Sequence, residues 1–269
     1  MLRIPGAYFF RNVIAGRSLL YQLVRRDFQQ RFVGSAVGWI WGLIHPLVLL
    51  ASWIFVFQVC LKQELPPGEI TQNYSLFLFC GFIPWLLFQE TVSRSANSLL
   101  EHANLITKTV FPSEIIPVSI FLSALLNHLL ALGIVLVATG IWSGGVSMMV
   151  IFLPVYMLCT GLLAVGIGWI ASSLQVYLRD TAHVLTVLLT CWFWLTPIFI
   201  SEELVPVRLR FIVKYNPLAY VVRAYRERIL SHRLPDWSEL VILAAFSVSA
   251  FVVGGLIFRH LKRGFADVL

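Results

Sequence analysis

The chain has 269 residues, of which 59% are hydrophobic and only 12% are charged, and its formal net charge is +7. Ordinary soluble domains contain roughly 45–50% apolar and about 25% charged residues, so this chain has too few charged side chains to cover a water-soluble globule. With a mean hydropathy of +0.84, the composition excludes one or two soluble domains and indicates a protein that crosses a membrane several times.

The first 35 residues form a basic segment that contains six arginines. No uninterrupted apolar core occurs in it, so we do not expect a cleavable signal peptide. Among its arginines and glutamines, apolar residues recur at helical spacing. These apolar residues are Leu20, Tyr21, Val24, Phe28 and Phe32. The pattern predicts an amphipathic helix in the plane of the lipid headgroups, with a disordered basic tail as the alternative.

Six apolar stretches are long enough to cross a bilayer core of about 30 Å, which takes about 17 to 25 helical residues. In chain order they are residues 36–60, 74–92, 117–142, 146–171, 184–200 and 240–258. Glu90, near one end of the second stretch, is the only formally charged side chain in them. The sequence therefore predicts six spans in a single transmembrane domain, 1–269.

The basic residues predict the orientation, because basic loops stay cytoplasmic. An even number of spans places both termini on one side, and the basic tail Arg259, Lys262 and Arg263 agrees with the arginine-rich start. We therefore predict a multi-pass membrane protein with both termini in the cytoplasm. Residues 93–116 become a cytoplasmic loop between the second and third spans.

Residues 201–239 fit this orientation poorly, because they hold seven basic residues on the predicted outer side. Pro206, Pro217 and Pro235 divide the segment into parts that suggest two short amphipathic helices. Such helices can re-enter the outer leaflet without crossing it. The alternative is a cytoplasmic segment, which would change the number of spans by one.

Several kinds of chemistry are missing from the sequence. No GxxxxGK[ST] phosphate loop occurs, so we do not expect this chain to hydrolyse ATP. The four cysteines are scattered singly, which argues against disulfides and a zinc site. Asn127 and His128 lie deep in the third span, where a polar pair that bonds a neighbouring helix is a commoner explanation than a proton relay. We predict no catalytic residue, no metal and no cofactor on this chain.

The loop 93–116 carries apolar residues that suit docking on a partner, namely Leu99, Leu100, Ile106, Val110 and Phe111. We interpret it as a short cytoplasmic helix that fits a partner's groove. A surface helix resting on lipid is the alternative.

Ordered motifs over nearly the whole chain resemble the type-2 ABC permease family, and within it the polysaccharide and polyol phosphate exporters. This subgroup includes O-antigen, teichoic acid and capsule permeases. The motifs that carry the resemblance are Arg26-Asp27-Phe28 with Gly38-Trp39 and His45-Pro46, Asn104 to Lys108 with Phe111-Pro112 and Glu114 to Pro117, Tyr177 to Asp180, Thr196-Pro197-Ile198, and Asn216-Pro217-Leu218.

The resemblance implies a half-transporter: two copies pair, and each binds one separate ATPase subunit that holds ATP and Mg²⁺. The loop after the second span then becomes the coupling helix, and the amino-terminal helix flanks it. Residues 201–237 become re-entrant helices near the outer face. The implied ATPase-contact residues are Arg25, Arg26, Asp27, Glu101, Asn104, Leu105, Lys108 and Phe111.

Aromatic residues are plentiful, with 9 Trp, 8 Tyr and 20 Phe. Sugar rings stack their C–H faces on aromatic rings, so a polymer path should be rich in these residues. Aromatic belts at the membrane interface explain individual residues equally well. The candidates for a glycan path are Phe82, Trp85, Phe88, Trp192, Phe193, Trp194, Tyr215 and Tyr220.

These observations predict an all-α integral membrane protein with six spans, an amino-terminal interfacial helix and short re-entrant helices before the last span. We predict the permease subunit of an exporter of lipid-linked polysaccharide, an O-antigen, that works as a homodimer with two ATPase subunits. Within the same family, teichoic acid, capsule or a small hydrophobic drug are alternative cargoes. A membrane-embedded enzyme and a stand-alone channel are alternatives of other classes.

Overall fold

The computed structural model describes residues 17–30, 38–108, 111–143 and 145–268. Within these ranges the chain forms helices and turns, without β-strands, which confirms the predicted all-helical class. The predictions for residues 1–16, for the start of the first span at residue 36, and for Val110 fall outside these ranges.

The described α-helices are α1 (Arg17–Gln30), α2 (Trp41–Ile54), α3 (Tyr74–Glu101), α4 (Ala103–Lys108), α5 (Ile115–Ser143), α6 (Leu153–Tyr177), α7 (Thr181–Leu195), α8 (Arg210–Lys214), α9 (Pro217–Leu230), α10 (Trp237–Leu261) and α11 (Phe265–Val268). A π-helical turn, Phe55–Cys60, continues α2. Short 3-10 turns lie at Gly38–Ile40, Met148–Phe152, Glu202–Leu204, Val207–Leu209 and Lys262–Gly264.

Four helical segments among the described residues are long and apolar enough to cross a membrane: Tyr74–Glu101, Ile115–Trp142, Met148–Tyr177 and Trp237–Gly264. They coincide with the second, third, fourth and sixth predicted spans. Two shorter apolar helices, Ile44–Cys60 and Thr181–Leu195, lie where the first and fifth spans were predicted. The count of six spans therefore stays a proposal.

The helix α3 continues nine residues past the predicted end of its span at residue 92. Its last turns contain buried hydroxyl groups, and these bond to carbonyl oxygens of the same helix. Thr91 donates to the Leu87 carbonyl oxygen and Ser95 to the Thr91 carbonyl oxygen, each at 2.7 Å. Buried hydroxyls that are satisfied in this way do not interrupt a helix.

The centre of the bundle is α3, whose most apolar window is 72% buried, against 22% for α10. It contacts α5, α6, α7 and α9. The helices α6 and α10 cross at glycines: a Cβ atom on Gly254 would lie 2.1 Å from the Gly166 carbonyl oxygen. Small residues of this kind let membrane helices approach to backbone contact.

The amino-terminal helix α1 packs against α5. Leu23 is its buried residue, whereas Tyr21, part of the predicted apolar stripe, is 67% exposed. Toward the other end of the chain, α8 and α9 are the helices within residues 201–239, and α9 packs against α3, α6 and α10. How α1 and α9 lie relative to a membrane stays a prediction.

Candidate functional site

The predicted coupling loop follows directly from α3. The helix ends at Glu101 and is followed by its C-cap residue His102, whose ring Nδ1 lies 2.8 Å from the Ser98 carbonyl oxygen. The helix α4 begins at the next residue. Ile106 and Phe111 pack on a buried cluster that includes Leu99, Trp169 and Phe265.

The outer face of this loop is polar and open. Of the predicted contact residues, Glu101, Asn104 and Lys108 are exposed and Leu105 is half-buried. Phe111 instead faces the bundle and is half-buried. Three of the five loop candidates are therefore accessible, while Ile106 and Phe111 hold the loop against the bundle.

An ion pair connects α1 to the carboxyl-terminal part of α3. Arg94 binds Asp27, and Arg94 Nη1 lies 3.6 Å from Glu90 Oε1. A polar cleft of about 280 Å³ beside this pair is lined by Arg26, Asp27 and Glu101. The structure thus brings three of the predicted contact residues together, from two segments far apart in sequence, while Arg25 is exposed on α1.

A hydrogen bond and an ion pair join the loop 111–114 to α6 and to the carboxyl end of the chain. The Trp169 indole Nε1 donates to the Glu114 carbonyl oxygen at 3.0 Å. The Glu114 carboxylate, only 2% exposed, pairs with Lys262. Close by, the Tyr177 hydroxyl donates to the Leu261 carbonyl oxygen at 2.8 Å.

A buried glutamine links three helices at this same end. Gln175 Nε2 donates to Asn97 Oδ1 at 3.1 Å and to the Arg179 carbonyl oxygen at 2.9 Å. Its Oε1 accepts from the Ala182 backbone nitrogen at 2.7 Å. The carboxyl-terminal part of α3 is thereby joined to α6, to the turn that follows α6, and to the first residues of α7.

At the opposite end of the bundle, two of the sequence motifs meet. Asn216 caps α9 by accepting from the Leu218 nitrogen at 3.0 Å. The same amide oxygen accepts from Trp192 Nε1 at 2.9 Å, and its Nδ2 donates to Thr196 Oγ1 at 2.9 Å. The Thr196-Pro197-Ile198 and Asn216-Pro217-Leu218 motifs therefore form one hydrogen-bonded junction between α7 and α9.

Two basic residues of α9 at this end of the bundle bond to other segments and are buried or half-buried. The Arg226 guanidinium, 4% exposed, donates to the Phe77 and Ile198 carbonyl oxygens at 3.2 and 2.7 Å and lies over the Phe77 ring. Arg223 pairs with Glu202 and Glu239. Burial lowers the pKa of Arg226 to about 10, so the side chain stays charged at neutral pH.

Most aromatic candidates for a glycan path form one group between α3 and α7. Phe193 lies 6.3 Å from Phe82, 5.3 Å from Trp85 and 5.5 Å from Trp194, measured between ring centroids. Phe88 and Trp192 are 5.1 Å apart. Within this group Trp85 and Phe88 are fully buried, whereas Trp194 is 60% exposed.

A cavity of about 640 Å³ lies beside this aromatic group, between α2, α3, α5 and α7. Of the predicted path residues, Phe82 and Phe193 line it. Polar side chains line it as well, among them His45, Gln89 and Asn127.

The two tyrosine candidates lie elsewhere. Tyr220 donates to the Lys214 carbonyl oxygen at 2.7 Å and lines a separate charged cavity of about 450 Å³ beside Arg223. Tyr215 is 67% exposed. The eight candidates thus fall into an inner group of six and an outer pair.

Comparison with known proteins places this architecture in a family. The profile of the family described as ABC-2 type transporter matches residues 18–230. The chain therefore belongs to the ABC-2 type transporter family. The match begins in α1 and ends with α9, so it contains both the coupling loop and the junction at Asn216.

Individual relatives of this ABC-2 permease cover nearly its full length. It is 29% identical over 262 residues to the "O-antigen export system permease protein RfbA" of Myxococcus xanthus, covering 96% of this chain and 97% of that protein. A Klebsiella pneumoniae protein of the same name is 27% identical over 252 residues, 93% and 95% of the two chains. The "Polysialic acid transport protein KpsM" of Escherichia coli is 23% identical over 242 residues, 88% and 91% of the two chains.

Sequence reasoning missed four residues that organise this ABC-2 permease: Arg94, Glu114, Gln175 and Arg226. Glu114 lay in a quoted motif, and the basic tail offered a partner for it, but 148 residues separate Glu114 from Lys262. For Arg226, the available signal was its helical spacing, because it follows Val222 by four residues and Ala219 by seven and so lies on the apolar face of α9.

Proposed function

We propose that this ABC-2 permease is the transmembrane subunit of a bacterial exporter that moves a lipid-linked polysaccharide, an O-antigen, across the inner membrane. Two copies of the chain pair, and each binds a separate ATPase subunit that holds ATP and Mg²⁺. The chain crosses the membrane six times, with both termini in the cytoplasm. It makes and breaks no covalent bond and holds no cofactor of its own.

The observation that carries this proposal is the position of α3. Its last residue, Glu101, is exposed, and the adjoining helix α4 carries the exposed residues Asn104 and Lys108 of the predicted ATPase contact. The middle of α3 lines the aromatic cavity through Phe82. One continuous helix therefore joins the surface that an ATPase would push to the space through which a glycan would pass.

Hydrogen bonds at the carboxyl-terminal end of α3 support a route by which movement of the ATPase would reach the cavity. Asn97 on α3 is bonded to Gln175, which also holds the first turn of α7. Movement of α4 and α3 would therefore shift α7, whose Phe193 lines the cavity. Closure of the ATPase pair would bias the permease toward an open conformation, because the ATPase binds one conformation more tightly than the other.

The names of the relatives support the class of cargo. Two carry names for O-antigen export and one for polysialic acid transport. These are different polymers, so capsule or teichoic acid remains the alternative within the family, followed by small-molecule efflux.

Deletion of the gene in its own host tests the cargo. We expect finished lipid-linked polymer to accumulate on the inner leaflet, measured by membrane fractionation, and surface labelling to detect none outside. Complementation with the intact gene should restore the surface polymer. Normal surface glycan in the deletion strain would refute O-antigen export, and loss of a capsule or teichoic acid instead would assign the alternative cargo.

A further inference from the structure

We propose that the cavity between α2, α3, α5 and α7 is a binding subsite for a single pyranose ring of the exported glycan, with Asn127 as a recognition residue. This inference rests on the proposed export function and adds to it a defined site within the protomer.

The cavity has the two kinds of wall that a sugar ring needs. Trp41, Trp53, Phe82 and Phe193 supply aromatic surface. His45, Gln89 and Asn127 supply hydrogen-bonding groups. Sugar rings offer C–H faces to the first kind of wall and hydroxyl groups to the second. A volume of about 640 Å³ is within the usual range for small-molecule pockets.

Asn127 distinguishes a sugar site from a space filled by lipid. Its side chain makes no hydrogen bond with any residue that the structure describes, although it lies in the middle of a long apolar helix. An amide that faces an acyl chain loses its hydrogen bonds to water without replacement, which costs free energy. A hydroxyl-bearing ligand would restore those bonds.

The neighbouring His128 shows what an interhelical polar contact looks like at this depth. Its Nε2 and the Tyr225 hydroxyl are joined by a hydrogen bond of 2.8 Å. The sequence suggested that Asn127 and His128 together bond a neighbouring helix, but in the structure His128 does so and Asn127 does not. Both residues line the cavity, and of the two only Asn127 makes no hydrogen bond within the described residues.

The experiment places a photoreactive benzoylphenylalanine at Thr190, which lines the cavity from α7. Val187, on the same helix, 63% exposed and outside the lining, is the control position. Both variants are expressed with the partner ATPase in the host, once with glycan synthesis intact and once with it blocked. After illumination, adducts are identified with an antibody to the glycan and by mass spectrometry of bound lipid.

We expect a glycan adduct at position 190 that disappears when synthesis is blocked, and none at position 187. Asn127→Leu should lower the yield at position 190 by about fivefold, the effect of losing one hydrogen bond to a ligand, without lowering the thermal stability of the complex. Tyr225→Phe, which breaks the bond to His128, should lower the stability; it is a control for stability alone, because His128 also lines the cavity.

His45→Phe provides a second variant in case Asn127→Leu reduces expression. His45 also lines the cavity and makes no hydrogen bond within the described residues. We expect the same loss of adduct from this variant.

The inference is overturned if position 190 captures phospholipid alone, or if both lining variants keep the full adduct yield. That failure differs from failure of the proposed function. If deleting the gene abolishes surface glycan while position 190 never captures it, the export function stands and only the subsite is wrong. If surface glycan is normal in the deletion strain, the export function itself fails.

Discussion

The two ends of α3 use charged residues in opposite ways. At the end that meets α9, Arg226 and Arg228 are 4% and 1% exposed. At the end that meets α4, Arg94 and Asp27 keep 33% and 23% of their side chains exposed. Arg226 and Arg228 are packed between helices and hold the fold together, whereas Arg94 and Asp27 pair with each other where water still reaches them. Of the seven basic residues in 201–239, Arg226 and Arg228 are buried and Arg223 is half-buried. Burial therefore accounts for part of the excess of basic residues on the predicted outer side.

The first prediction concerns Arg226, where we expect the largest effect on stability. Arg226→Met removes two charge-assisted hydrogen bonds to backbone carbonyl oxygens. It should lower the free energy of unfolding by about 2–4 kcal/mol, measured by thermal unfolding of the purified permease in detergent. Arg208, in the same segment but exposed, is the control, and Arg208→Met should behave like the wild type. Equal stability of the two variants would contradict the structural role of Arg226.

The second prediction concerns the junction at Asn216. Asn216→Ala removes the cap of α9 and the bonds to Trp192 and Thr196, at a cost of about 1–3 kcal/mol. Asn216→Ser keeps a capping oxygen but is too short to reach the other two partners, so its stability should lie between those of the wild type and the alanine variant. A serine variant as stable as the wild type would show that the cap alone matters.

The third prediction concerns the ion pair of Asp27 and Arg94, at the end of α3 that meets α4. Both side chains are partly exposed, so water and salt screen their attraction. A double-mutant cycle with Asp27→Asn and Arg94→Gln should give a coupling energy of about 0.2–1 kcal/mol. A coupling as large as the loss at Arg226 would remove the distinction between the two ends.

The fourth prediction expects almost no change in stability and a large change in partner binding. Lys108→Glu reverses a charge on the exposed face of α4, and exposed substitutions of this kind usually stay within about 0.5 kcal/mol. The amount of ATPase that copurifies with the permease should fall by at least about threefold. Lys62→Glu reverses a charge in the exposed turn before α3 and should leave copurification unchanged. Equal losses from both variants would argue against α4 as the contact.

The sequence predicted the helical class, the positions of the long apolar helices and two short helices within 201–239. These features depend on local composition and on prolines. It did not predict that α3 runs unbroken to Glu101, because the serine and threonine residues of its last turns are typical of loops in a sequence.

Contacts between distant segments could not be predicted from the sequence, because they depend on how the helices pack. The Thr196 and Asn216 motifs were both recognised, but their mutual hydrogen bond depends on how α7 and α9 pack. The aromatic candidates were chosen by residue type alone, which places Phe82 and the exposed Tyr215 in one set. Only packing separates the cavity-lining rings from buried Trp85 and from the outer pair.

Gly166 and Gly254 let α6 and α10 approach so closely that no side chain fits between their backbones at this point. We expect these two helices to move as one rigid body. By contrast, Leu189 is the one buried residue of α7, and Pro46 interrupts the backbone bonding of α2. A hinge in this protomer should therefore involve α2 and α7, so that each opening would also widen or narrow the space between Trp53 and Phe193.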